Sequence, residues 1–165
     1  MAEVLPGDFM SWSGRLTGIY VAREAKGDLS SVATATVVEG KGIDGDRYGA
    51  GVGSFSNWEG GGRHVTLIEE EALEAIARES KIELAAASAR RNLTTRGVAL
   101  NHLVGRKFRV GAVTLEGIRL CEPCEHLEAL SGAKGVIKAL LHRGGLRAEI
   151  VSGGEIRVGD EISEA

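Results

Sequence analysis

Apolar positions along this chain fall into short β-type runs separated by glycines. RLTGIYVA (15–22) predicts a first strand and ATATVVE (33–39) a second. HVTLI (64–68) is a short strand that runs straight into EEEALEAIARES (69–80). There the spacing of Leu73, Ile76 and Ala77 changes to the helical period, and acids crowd the first turn, where the helix dipole favours them. Residues 81–91 are alanine-rich and ambiguous, and NLTTRGV then reads as a strand or extended connection. ALNHLVG (99–105) predicts a helical turn closed by Gly105, and KFRVGAVTLEGIRL (107–120) shows β alternation broken by Gly111 and Gly117. HLEALSG predicts one or two helical turns. KGVIKALLHRGG (134–145) predicts a helix with Val136, Ile137, Leu140 and Leu141 on its apolar face and a glycine pair as its stop. The tail predicts a hairpin: LRAEIV and EIRVGDEI flank SGG, with Ala148, Ile150, Ile156 and Val158 facing inward.

Composition narrows this pattern to one small domain. The chain has 165 residues, 43% hydrophobic and 26% charged, enough to bury a core and too apolar for disorder. Twenty-four glycines against two prolines point to tight turns and bulges in a curved or closed sheet. Residues 1–14 read as a flexible N-terminal segment and 15–165 as the domain. A net charge of −3 argues against a nucleic-acid binder. No apolar run reaches the ~18 residues of a membrane helix. MAEVLPGDFMSWSG lacks the basic and apolar regions of a secretory signal, so a cytoplasmic location with reduced thiols is expected. The expected fold class is therefore mainly β (α+β), a barrel-like sheet with two or three short helices.

Four stretches carry candidate chemistry. CEPC (121–124) holds both cysteines, Cys121 and Cys124. Two thiols at this spacing can clip zinc with His126, cycle as a redox pair, carry sulfur, or simply occupy a turn. A zinc site needs four ligands and no second pair follows. GIDGDRYG (42–49) sets Asp46 and Arg47 between glycines, either as a charged surface turn or as a loop that brings backbone N–H groups and a cation to an anion. Arg90, Arg91 and Asn92 form a dense donor cluster, suited to phosphate or carboxylate if not simply solvated. His64 stands alone at a strand start, where a structural role is the more ordinary one. The second of these stretches lies within KGIDGDRYGAGVGSFSNWEGGG (41–62), which is too glycine-rich for regular structure, and long irregular loops of this kind are often functional.

The order of these stretches is more specific than any one of them. GIDGDRYG, HVTLIEEEAL, ARRNLTTRGVALNHLVGRKFRVG, RLCEPCEHLE and RGGLRAEIVSGGEIRVGDEI together resemble the MOSC domain, named for the C-terminal part of molybdenum cofactor sulfurases. The resemblance spans residues 15–163. It implies a pyruvate-kinase-barrel-like β fold and binding of the molybdenum cofactor, a pterin bearing a dithiolene and a phosphate. It also implies a cysteine that ligates molybdenum or carries sulfur as a persulfide. On this chain the family cysteine falls on Cys124, in Pro123-Cys124-Glu125-His126-Leu127, with Cys121 as the second candidate. Cofactor-binding roles fall on Asp46, Arg47, His64, Arg90, Arg91 and Asn92. Amidoxime-reducing members carry Arg directly before their cysteine; here that residue is Pro123. In cofactor sulfurases a pyridoxal-phosphate-dependent desulfurase precedes the domain, and 165 residues leave no room for it.

Three functions are expected on this basis. The first is a molybdenum-dependent reductase of N-hydroxylated compounds, using a small-molecule substrate and a separate electron-transfer partner. The second is a sulfur carrier fed by a cysteine desulfurase, without catalysis of its own. The third is a non-enzymatic β-barrel interaction module with CEPC as a structural turn or zinc clip.

Overall fold

The structure, a computed structural model, describes residues 11–57 and 60–165. Eleven strands form among them: β1 (Ser13–Val21), β2 (Ser30–Val32), β3 (Thr34–Val38), β4 (Gly42–Ile43), β5 (Val65–Glu69), β6 (Leu93–Arg96), β7 (Lys107–Val110), β8 (Val113–Leu120), β9 (Leu146–Ser152), β10 (Gly154–Arg157) and β11 (Glu161–Glu164). Three helices accompany them, α1 (Glu70–Ser80), α2 (Glu125–Ser131) and α3 (Val136–Ala139). The main sheet runs β11-β7-β8-β9-β5-β6-β1, and a β11–β1 pairing closes it into a seven-stranded barrel. β2 extends the sheet from β1, and β10-β3-β4 form a second, three-stranded sheet. Closure leaves the barrel strands no free edge.

Period-two alternation fills the barrel. Leu146, Ala148 and Ile150 of β9 face inward with Phe108 and Val110 of β7, Leu115 of β8 and Ile162 of β11. Each large side chain removed from water this way contributes about 1.5–3 kcal/mol. β5 is buried on both sides: Val65 and Leu67 belong to the barrel core, whereas Ile68 joins a second cluster with Ala72 and Ile76 of α1, Leu127 of α2, and Val136 and Leu140. That double burial leaves β5 almost no solvent-exposed face. β5 and β6 are the one parallel pair in the barrel, and such a pair needs a crossover, which α1 provides.

The mainly β barrel with three short helices is as expected, and several boundaries shift. β1 begins at Ser13, so residues 13 and 14 lie in the barrel; residues 1–10, most of the segment expected to be flexible, lie outside the described residues. The buried stripe of α1 is Ala72, Ala75 and Ile76, one position round from the expected Leu73–Ile76–Ala77 face. The helix expected over 134–145 closes after one turn at Ala139. Its glycines serve a different purpose from a helix stop: a Cβ on Gly144 would lie 2.5 Å from the Cys121 carbonyl, and one on Gly145 2.0 Å from that of Leu67. Only glycines let this segment pass so close to CEPC and β5.

The C-terminal hairpin is not formed. β9 pairs with β8 and β5, β10 with β3, and β11 with β7 and β1. At SGG the chain turns out of the barrel instead of folding back; Gly154 has φ +152, a conformation other residues rarely adopt. Ile156 is buried as expected, but Val158 is exposed, because it lies past the end of β10. No helix of the described residues is long and apolar enough to cross a membrane.

Candidate functional site

The chemistry-bearing stretches converge on the outer wall of the barrel. β5 and β9 present Thr66 and Arg147 outward as direct register partners. The CEPC connection leaves the end of β8 beside them, and Arg90 and Arg91 arrive from the turn before β6. The 44–57 loop lays Arg47, Ser54 and Phe55 over the top. These segments enclose a cleft of ≈ 40 Å³ lined by Arg47, Phe55, Arg90, Cys124, His126 and Arg147. That is room for a few water-sized groups, and so for the reacting end of a ligand.

The two cysteines have unequal environments. Both are free thiols. Cys121 is 1% exposed; its backbone N–H donates to the Gly145 carbonyl and its carbonyl accepts from Arg91 Nη2. Cys124 is exposed and lines the cleft. It sits at the start of α2 with extended backbone, and its side chain makes no capping bond. Pro123 between them is buried. The described residues contain no group of three or more His, Cys, Asp or Glu placed to hold a metal ion, which the zinc-clip alternative requires.

The other expected site residues divide into those that reach the cleft and those that build it. Asp46 is fully buried, and its carboxylate accepts from Ala22 N, Tyr48 N and Arg47 Nη1, the last at 2.9 Å. It fixes Arg47, whose guanidinium also lies 4.7 Å from the Tyr48 ring centre. Asn92 is 1% exposed and ties three strands together: Oδ1 accepts from Thr66 N, and Nδ2 donates to the Tyr20 carbonyl. Arg91, 7% exposed, lines the cleft, but Nε, Nη1 and Nη2 donate to the carbonyls of Gly144, Ala89 and Cys121. Arg90 has a left-handed backbone (φ 59) that turns it away from Arg91 and into the cleft, where it also donates to the Gly27 carbonyl. His64 is elsewhere: Nδ1 accepts from Ile150 N, and the ring lies in a groove beside Gly60–Gly62 rather than in the thiol cleft.

The cleft is a cationic place. Burial lowers the pKa of Arg90, with Arg47 next. Burial likewise lowers that of His126, helped by Arg90, Lys26 and Arg47, so its imidazole favours the neutral form. Phe55 closes the cleft, meeting His126 edge-on at 5.2 Å and lying 5.9 Å from the Arg147 guanidinium. Trp58 and Glu59, in the same loop, lie outside the described residues. The donor set suits the molybdenum cofactor. A thiolate is a soft ligand, and Cys124 would supply one to a metal chelated by a dithiolene. Arg47 and Arg90 are forks matched to a phosphate. A whole pterin is far larger than 40 Å³, so most of it would lie over the open mouth of the cleft rather than inside it.

Residues of the cleft that did not stand out in the sequence include Thr66, Phe55 and Arg147. Arg147 was legible on the polar face of a strand whose inward positions, Ala148 and Ile150, were read; Thr66 was not, because β5 is buried along nearly its whole length. Phe55 carried no signal beyond its place in a long glycine-rich loop.

Comparison with known proteins agrees with this architecture. The family model described as MOSC domain matches residues 51–163. The crystal structure of the YuaD protein from Bacillus subtilis superposes with a TM-score of 0.76 at 17% identity, covering 93% of this chain and 96% of that one. YiiM from Geobacillus stearothermophilus gives a TM-score of 0.67 at 15% identity, over 90% of this chain and 73% of that one. YiiM from Escherichia coli gives 0.65 at 17% identity, over 92% and 69%. No curated protein matches the sequence.

Proposed function

The chain belongs to the MOSC domain family, and from that membership we propose that its cleft binds the molybdenum cofactor with Cys124 as the protein's ligand to the metal. The observation that carries the reading is the pairing of one exposed soft thiol with Arg47 and Arg90 in a single cleft. We further propose that the bound protein reduces N-hydroxylated small molecules, taking electrons from a separate redox protein. The cofactor supplies the two-electron change; the chain supplies position and electrostatics. Cys124 donates the soft thiolate. Arg47, held rigid by Asp46, and Arg90 hold the phosphate through charge-assisted hydrogen bonds. Phe55 limits water at the reacting end, and Arg91 fixes the CEPC backbone so that Cys124 stays at the mouth. The reading places the chain in the cytoplasm, where two free thiols stay reduced.

The test is molybdenum and pterin content of protein made in a cofactor-competent host, for wild type, Cys121→Ser and Cys124→Ser. Loading that is lost only in Cys124→Ser is expected. Cofactor-free wild type, or full loading of Cys124→Ser, overturns the ligand assignment.

A second reading keeps the thiol and removes catalysis: Cys124 carries sulfur from a cysteine desulfurase to an acceptor. The exposure of Cys124 beside a buried Cys121 favours it, because only an exposed thiol can be handed sulfur by another protein. Mass spectrometry after incubation with a desulfurase should then show about 32 Da, one sulfur, on Cys124. An unmodified thiol removes this reading.

A further inference from the structure

Strand β8 carries an irregularity at Ile118. Gly117 and Arg119 are two residues apart, so a regular strand would place them on the same face. Instead Gly117 pairs with Ala148 and Arg119 with Arg147, leaving Ile118 as an extra residue. Ala148 faces the barrel core, so Arg147 faces out. The bulge re-aims Arg119 to that outer face, directly opposite Arg147. Like charges directly opposed across neighbouring strands are destabilising.

No ion pair among the described residues engages the two arginines. Glu149, two residues beyond Arg147, accepts from Gly62 N, and the Glu122 carboxylate is engaged by His142. Arg63 adds to the same field: its pKa is lowered first by burial and then by Arg119 and Arg147. Arg147 also lines the thiol cleft. A bulge that turns a second arginine toward the first, at the rim of a reactive cleft, builds a cradle for a doubly charged anion.

We propose that Arg119 and Arg147 form an oxyanion subsite beside the thiol cleft, which takes the phosphate group of a small-molecule ligand. Two guanidinium forks match a phosphate dianion in charge and geometry, and its binding turns their repulsion into attraction. The subsite rests on the cleft being the functional centre, and it does not depend on molybdenum.

Inorganic phosphate is titrated into the purified chain at constant ionic strength, against sodium chloride, and read by thermal unfolding and calorimetry. Saturable binding of phosphate beyond chloride is expected, weakened about tenfold in Arg119→Gln and again in Arg147→Gln. Arg119 is exposed, so Arg119→Gln should fold, and in phosphate-free buffer its unfolding temperature should rise because the repulsion is relieved. No phosphate effect beyond chloride, or undiminished binding by Arg119→Gln, overturns the proposal. Pterin content of Arg119→Gln is expected to be unchanged, because the cofactor's phosphate is assigned to Arg47 and Arg90; lost content overturns the assignment of this subsite to a substrate phosphate. A chain that binds phosphate here yet carries no molybdenum keeps the subsite and loses only the cofactor reading.

Discussion

Arg91→Ala should cost this protein much of its stability. The side chain is 7% exposed and has no carboxylate partner among the described residues; its charge is satisfied by the carbonyls of Gly144, Ala89 and Cys121 at 2.9, 3.2 and 3.1 Å. Truncation leaves three carbonyls short of a donor, and a buried acceptor left so costs about 1–3 kcal/mol. Part of that is offset, because a buried guanidinium no longer has to be desolvated. A net loss of roughly 3–5 kcal/mol follows, in the range of broken buried networks. For a chain of this size it lowers the unfolding temperature by roughly 6–20 °C. Urea unfolding of wild type, Arg91→Ala and Arg91→Lys measures it, with the lysine variant intermediate because an ammonium can reach one or two of the three carbonyls. The same clamp holds the Cys121 carbonyl, so thiol labelling of folded Arg91→Ala should reach Cys121 as well as Cys124. A loss below about 1 kcal/mol, the size of a single ordinary hydrogen bond, would refute the clamp and return Arg91 to the ligand-binding set.

Three further outcomes are expected. Native wild type should release one thiol quickly to a disulfide reagent, that of the exposed Cys124, with Cys121 reacting only on unfolding; two fast thiols would contradict the burial of Cys121. Asp46→Ala should cost about 3–5 kcal/mol, because it strands the buried Arg47 charge, and equilibrium unfolding reads it. Burial raises the pKa of Glu69 above the ordinary carboxylate value, so its neutral form favours the fold. That contribution is complete below the unfolded-state pKa and is lost as pH rises through the folded-state pKa. Glu69→Gln should therefore gain stability over wild type at pH 7 and match it at low pH, and urea midpoints that differ equally at both pH values would contradict this.

Period two in β7, β8 and β9, the switch to helical spacing at Glu70 and the glycine punctuation were enough to read a mainly β chain with short helices. They report local backbone geometry and which face is apolar, and those are properties of neighbouring residues. The order of the motifs led to the MOSC family and to Cys124. Pairing was not legible, because a strand's partners depend on where the whole sheet closes: LRAEIV and EIRVGDEI look like a hairpin, yet β9 and β10 belong to different sheets. Roles within ARRN were also hidden. Three adjacent polar residues look alike in one dimension, but a left-handed turn at Arg90 sends that side chain into the cleft and leaves Arg91 and Asn92 to bond backbone. The Arg119–Arg147 pair lay furthest from view, since alternation counts every second residue and a single extra one, Ile118, reverses the face. The sequence by itself determined the kind of strand and the family, because these reside in residue types and their spacing. The tertiary structure decided which charges are spent within the fold and which remain to meet a ligand, because that depends on contacts between residues distant in the chain.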